Sequence, residues 1–177
     1  MSPGVRPGVR LGIDVGSVRV GVAACDPSGL IASPLETVRR TPVSAREGTD
    51  LAAHTSSEGA SSSEPTADIG RIVQLAAELG VVEVVVGLPL SLSGRRGAAA
   101  DAAVEYARRL AGALRPIPVR LVDERLSTVS AHGNLATAGL GSRARREVVD
   151  QQAAVIILQS ALDTERSSGR VPGELVT

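Results

Sequence analysis

Residues 9–25, VRLGIDVGSVRVGVAAC, decide how the fold is read. Segments 9–16 and 18–25 are both rich in Val and small apolar residues. Gly16-Ser17 between them suits a tight turn, so the run predicts an antiparallel hairpin. One residue is out of place: Asp14 stands in an otherwise apolar strand, flanked by Gly12 and Gly16. Asp26-Pro27-Ser28-Gly29 then gives a strong turn signal. Residues 30–38 (LIASPLETV) read as a third strand, pushed toward the sheet edge because Pro34 has no amide to donate.

Outward from this meander, residues 41–66 lose all periodicity and fill with Ser, Thr, Glu, Gly and Pro, as in SSEGASSSEPT. Such a segment cannot bury enough apolar surface to offset its ordering entropy. The expectation is a disordered loop inserted within one domain. From residue 67 the pattern becomes β/α alternation. Residues 68–79 place Ile69, Ile72, Val73, Leu75, Ala76 and Leu79 on a helical stripe that Gly80 stops. A short buried strand follows at 81–86 (VVEVVV), a helix at 98–114, a strand at 118–124 (PVRLVDE), and helices near 127–138 and 146–165. The expected fold is α/β, one domain over 9–165. Its mixed five-stranded sheet comprises the three-strand antiparallel meander plus two parallel strands, flanked by helices. Residues 1–8 are expected to be flexible and the polar tail 166–177 frayed.

The composition narrows the chemistry. Of 177 residues, 43% are hydrophobic, yet the chain has one Tyr and no Phe or Trp. The core must be built from Val, Leu, Ile and Ala, and stacking of bases on aromatic rings is unavailable. All 19 basic residues are Arg, whose planar fork suits phosphate. Net charge is zero, but the balance is uneven. Residues 44–70 carry one Arg against five acids, which leaves 18 Arg against 14 acids elsewhere. The lone Cys25 cannot form an internal disulfide, which points to a reducing compartment. No apolar run approaches the roughly 20 residues of a membrane span. A cytoplasmic protein without a membrane segment is expected.

Three acids sit where solvated acids should not. Asp14 lies in its apolar strand, Glu124 (beside Asp123) ends PVRLVDE, and Asp150 opens the most apolar helix, VVDQQAAVIIL. Strand ends and a helix start can bring carboxylates from distant sequence to one sheet edge. There they repel one another unless a cation lies between them. All-oxygen ligands suit Mg²⁺ or Mn²⁺, and two such ions would serve phosphodiester hydrolysis. Each acid taken singly also has a structural role open to it. Asp14 could form a turn, Asp150 could favour a helix start through the dipole, and 123–125 could be a solvated strand end. His54 and His132 have no ligand partner nearby in sequence, and Cys25 reads as a buried, inert thiol.

Four runs carry a family resemblance: 11–38 (LGIDVGSVRVGVAACDPSGLIASPLETV), 84–97 (VVVGLPLSLSGRRG), 119–132 (VRLVDERLSTVSAH) and 148–163 (VVDQQAAVIILQSALD). In this order they resemble the YqgF/RuvX family, described as pre-16S rRNA nucleases or Holliday junction resolvases of ribonuclease H-like fold. The resemblance spans about 9–165, with 44–66 as an apparent insertion. It implies a metal-dependent nuclease in which Asp14, Glu124 and Asp150 are the catalytic acids and hold Mg²⁺ or Mn²⁺, two ions being expected. Asp123 is the alternative to Glu124, because a shift of one residue in strand register exchanges them. Gly16 and Gly87, the latter in Gly87-Leu88-Pro89, fall in active-site loops. Arg19, Arg95, Arg96, Arg125, Arg143, Arg145 and Arg146 are candidate nucleic-acid contacts, with Arg125 equally able to pair Asp123. Ser93, Arg95 and Arg96 depart from the polar and acidic residues usual in the family's loop. The implied substrate is precursor rRNA, or branched DNA as the alternative, for a monomer or homodimer. Readings from other classes are an actin-like ATPase and an idle ribosome-assembly module. The chain lacks the second copy of the fold and the Gly-rich adenosine loop that the ATPase needs, and it retains the acids an idle module would not.

Overall fold

The computed structural model describes residues 5–41, 65–91, 93–125 and 142–177. The hairpin forms as its pattern dictates. β1 (Arg10–Val15) pairs antiparallel with β2 (Arg19–Cys25), and β2 with β3 (Ala32–Arg39). The chain continues through α1 (Ala67–Leu79), β4 (Glu83–Leu88), α2 (Ala98–Leu114), β5 (Val119–Asp123), α3 (Ser142–Ser168) and β6 (Glu174–Leu175). The strand order is β3-β2-β1-β4-β5-β6, with β4 parallel to both β1 and β5. Pro34 lies on edge strand β3, opposite Ala23 and next to a register shift, where a missing amide costs least. The expected helix 127–138 and most of the 41–66 segment lie outside the described residues.

Helices cover both faces. Ile69, Ile72 and Leu75 of α1 and Tyr106 and Leu110 of α2 pack on Leu11, Ile13, Val20, Val22, Val84, Val86 and Leu121. On the opposite face Ala154, Ile157, Leu158, Ala161 and Leu162 of α3 pack on Ala23, Cys25, Val85 and Val122. Strand side chains alternate between faces, so Gly12, Asp14, Gly21 and Gly87 all belong to the α3 side. Every residue of β4 is buried, as its double cover requires.

The sheet has six strands rather than five. The sixth comes from the tail expected to be frayed: β6 pairs antiparallel with β5, and the Val176 amide donates to Val119 O at 2.9 Å. It covers an edge of β5 that would otherwise present unpaired backbone groups. The other terminus, expected to be flexible, is also tied down from Arg6 onward. Arg6 Nε lies 2.8 Å from Glu165 Oε1 and Arg6 Nη2 lies 2.9 Å from Glu83 Oε1. Arg120 Nε donates to Glu83 Oε2 at 3.0 Å, and Arg10 Nε is 3.5 Å from Glu83 Oε1. Arg10, Glu83 and Glu165 are all buried, at the edge where β1, β4 and β5 begin. Two buried carboxylates need these guanidinium partners, and that need orders the N-terminal residues. Removing Glu83 would leave buried Arg10 with only the more distant carboxylate of Glu165, 3.7 Å away, and would take a partner from Arg6 and Arg120. Glu83→Ala should therefore cost about 3–5 kcal/mol of stability in chemical denaturation; a cost below about 1 kcal/mol would mean that the network contributes little.

Candidate active site

The opposite edge, where β1, β4 and β5 end, gathers the acids. Asp14 is the penultimate residue of β1 and pairs in register with Gly21 of β2. The bare Gly21 lets α3 approach: a Cβ there would collide with the main-chain oxygen of Asp150. Gly12 gives α3 the same access one step down, since a Cβ on it would lie 2.7 Å from Ala154 O and 2.6 Å from Leu158 Cβ. Asp150 precedes Ala154 by one helical repeat, on the stripe of α3 that continues through Leu158 and Leu162. Two strand glycines thus seat the helix that presents Asp150 beside Asp14.

Glu124 follows β5 on the same face as Val122, and its Oε1 occupies the space above Gly87, 2.5 Å from where a Cβ would stand. Asp123 has the opposite parity. Its carboxylate takes the Arg125 fork, with Nη2 to Oδ2 at 2.6 Å and Nε to Oδ1 at 3.1 Å, and accepts the Arg125 amide at 2.9 Å. Hydrogen bonds from the Arg125 side chain hold Asp123 below the usual carboxylate range despite some burial.

Asp14 and Glu124 are shifted the other way. Burial, and then the charge of Asp150, raises the Asp14 pKa to about 6. Burial, and then Asp14 and Asp123, raises that of Glu124 to about 7. Asp14 therefore feels the charge of Asp150, and Glu124 feels that of Asp14, along one acidic edge. Among the described residues no three His, Cys, Asp or Glu side chains stand close enough to enclose one ion. The donor set is still all carboxylate oxygen, and its two raised pKa values are what a cation bound there would relieve. The residues fit a hard divalent cation.

The basic candidates divide by position. Arg19, at the start of β2, has Nη1 3.7 Å from Asp150 Oδ2. Arg125 is paired to Asp123, and its Nη1 would lie 3.2 Å from a Cβ on Gly94, so it also abuts the loop after β4. Arg95 and Arg96 of that loop are exposed and line an open cavity of about 530 Å³ with Pro89, Leu90, Ser91 and Ala99. Gly16 closes the hairpin turn, its amide donating to Arg19 O at 2.9 Å. Arg143, Arg145 and Arg146 fall in the opening turns of α3, with side chains outside the described residues, as are His54 and His132. Cys25 is buried, and burial first of all raises its thiol pKa. Sequence reasoning passed over Gly12 and Gly21. Their signal was present, because an isolated glycine inside a strand marks close approach of another backbone.

A mixed sheet with acids at the ends of its first and last parallel strands, covered by a helix bearing a third, has the ribonuclease H-like architecture. The fold is shared with Thermus thermophilus RuvC, solved in complex with a Holliday junction substrate. The TM-score is 0.51 at 16% identity, over 93% of this chain and 99% of that one. A family model described as "RuvX: Holliday junction resolvase" matches residues 8–61 and 43–164. A "Putative pre-16S rRNA nuclease" of Clavibacter michiganensis is 52% identical over 97% of this chain and 93% of its own length. One of the same name from a Nocardioides species is 53% identical over 97% and 98%. The chain belongs to the RuvX family and is a hydrolase acting on nucleic acid. Among the described residues no helix is long and apolar enough to cross a membrane.

Proposed function

We propose that this chain hydrolyses phosphodiester bonds in structured RNA, maturing the 5′ end of precursor 16S rRNA in the cytoplasm. The observation that carries the reading is the convergence of Asp14, Glu124 and Asp150 from β1, the end of β5 and α3. They meet at one sheet edge, where the first two have raised pKa values. The names borne by relatives at about half identity direct the substrate assignment to rRNA. Glu124 is preferred to Asp123 as the ligand, because Asp123 is engaged by Arg125 and faces the other way.

Asp14, Glu124 and Asp150 would hold two Mg²⁺ or Mn²⁺ ions. When bound, such ions make water a competent nucleophile near neutral pH and offset charge on the scissile phosphate. The protein supplies the rest. Its carboxylates are pre-placed on rigid elements, and Gly87 leaves Glu124 room over the end of β4. Arg19, 3.7 Å from Asp150, and Arg95 and Arg96 in the loop after β4 are suited to phosphates, and Arg143, Arg145 and Arg146 extend the basic set by sequence.

A second reading, resolution of four-way DNA junctions, is favoured by the description of the family model. Such an activity on a two-fold junction would call for a homodimer, whereas end processing is open to a monomer. The experiment is cleavage of precursor 16S rRNA and of four-way DNA junctions, with Mg²⁺ or Mn²⁺ and Asp14→Asn as control. Preferential, metal-dependent cutting of the rRNA is expected. Cutting confined to junctions would favour the second reading, and cutting equal in Asp14→Asn would sink the mechanism.

A further inference from the structure

The turn that carries Asp14 on one side and Arg19 on the other is held from outside by Arg40, the residue after β3. The Arg40 amide donates to Val18 O at 2.9 Å. Its Nη1 donates to Gly16 O at 2.9 Å. Gly16 lies two residues beyond Asp14, and its own amide closes the turn onto Arg19 O. A single side chain thus reaches from the end of β3 to the backbone that leads out of the acidic edge.

That side chain is itself fixed from behind. The guanidinium carbon stands 5.6 Å from the centroid of the Tyr106 ring, within range of a cation–π contact. Tyr106 is the one aromatic ring of the chain and is 1% exposed. Beyond it lies Asp68, at the start of α1, also 1% exposed. Neither of its carboxylate oxygens, nor the Tyr106 hydroxyl, has a hydrogen-bond partner among the described residues. Arg109 joins the group from α2, donating to Thr66 Oγ1 at 2.8 Å. Burial and then the Asp68 charge push the Tyr106 hydroxyl up, while Arg40 and Arg109 oppose this. Among the described residues, the Arg40 guanidinium thus links the buried Tyr106 ring of α2 to the turn.

The acidic edge needs such a restraint. Asp14 sits beside the like charge of Asp150, so a turn free to relax would carry its carboxylate away toward water. We propose that Arg40 is a positioning residue for cleavage, clamping the turn at Gly16 so that Asp14 stays beside Asp150 and Glu124. The inference rests on the reading of Asp14 as a metal ligand, and Arg40 acts through the backbone without touching substrate.

The test compares wild type, Arg40→Met, Arg40→Lys and Asp14→Asn. Met keeps an unbranched stem and removes the donors; Lys keeps a cation that can donate to Gly16 O. Mn²⁺ binding is measured without substrate by the resonance of free Mn²⁺, together with kcat, KM, melting temperature and amide exchange over residues 15–19. Arg40→Met should weaken Mn²⁺ binding and lower kcat by about 10–100-fold, the range for residues that orient a ligand from behind. KM should move little, and the turn amides should exchange faster. Arg40→Lys should recover most of both losses. Wild-type Mn²⁺ binding and kcat in Arg40→Met would overturn the proposal, as would equal losses in both variants with the turn amides still protected. If wild type binds Mn²⁺ no better than Asp14→Asn, the metal reading fails and takes this inference with it. Should Arg40→Met not fold, Arg40→Gln, a neutral donor, takes its place in the same comparison.

Discussion

Asp14→Asn should remove metal-dependent cleavage almost entirely, by about 10³-fold or more, while making the metal-free protein more stable. The loss in rate corresponds to about 4 kcal/mol of transition-state stabilisation, the scale on which a cation offsets phosphoryl charge. The gain in stability follows from the pKa directions. An Asp whose folded pKa is about 6 against its ordinary 3.8 keeps its proton longer when folded than when unfolded. Below about pH 4 it is neutral in both states and has no effect. As pH rises through the window toward 6, the unfolded state loses its proton first and stability falls. Above that window the full penalty is present. Glu124 behaves alike, with its window extending to about 7. Metal-free wild type should therefore lose stability between about pH 4 and 7. Asp14→Asn should lose less and be more stable by about 1–2 kcal/mol at pH 7.5. Adding Mn²⁺ should raise the melting temperature of wild type and leave that of the variant nearly unchanged. A variant that melts well below metal-free wild type at pH 7.5 would contradict the repulsion argument, and one that cleaves normally would remove Asp14 from the chemistry.

Asp14 was legible because it breaks an apolar pattern, and Asp150 because it stands just before the apolar run 153–158. Asp150 does not open its helix as expected, however: α3 begins at Ser142, eight residues earlier. The choice between Asp123 and Glu124 was not legible, and the reason is physical. β5 is covered by helices on one side and α3 on the other, so Val119, Leu121 and Val122 are apolar on both faces. A strand buried on both faces has no period-two signal from which to read parity. Contacts remote in sequence supply it instead: Glu124 over Gly87, and Asp123 on the Arg125 fork. β6 was hidden for a different reason. Two residues, Glu174 and Leu175, make no pattern, and their pairing exists only because β5 has an edge to cover. Arg6 and Arg40 share the same limit. Each looks like one more arginine in an arginine-rich chain until Glu83 and Glu165, or Tyr106 and Gly16, arrive from distant parts of the sequence.

The second large effect is expected at Gly21, a residue with no chemistry of its own. It stands opposite Asp14 in register and directly beneath α3. A methyl group added there would collide with the main-chain oxygen of Asp150, an atom held by its helix and unable to rotate aside as a side chain would. The helix cannot simply slide, because Gly12 brings Ala154 and Leu158 equally close one turn further on. Gly21→Ala must therefore lift or tilt the first turns of α3, moving Asp150 away from Asp14. Overpacking of this kind costs about 1–3 kcal/mol. A displacement of about 1 Å at reacting groups lowers a rate by about 10²-fold. The control is Gly70→Ala in α1, where an added Cβ meets nothing within 4 Å. That variant should keep activity and gain up to about 1 kcal/mol, since alanine favours a helix over glycine. Both are read by cleavage rate, Mn²⁺ affinity and chemical denaturation. Full activity and unchanged Mn²⁺ affinity in Gly21→Ala would mean that the seating of α3 on β2 does not place Asp150. The acid would then owe its position to other contacts of α3, which begins at Ser142, eight residues before Asp150.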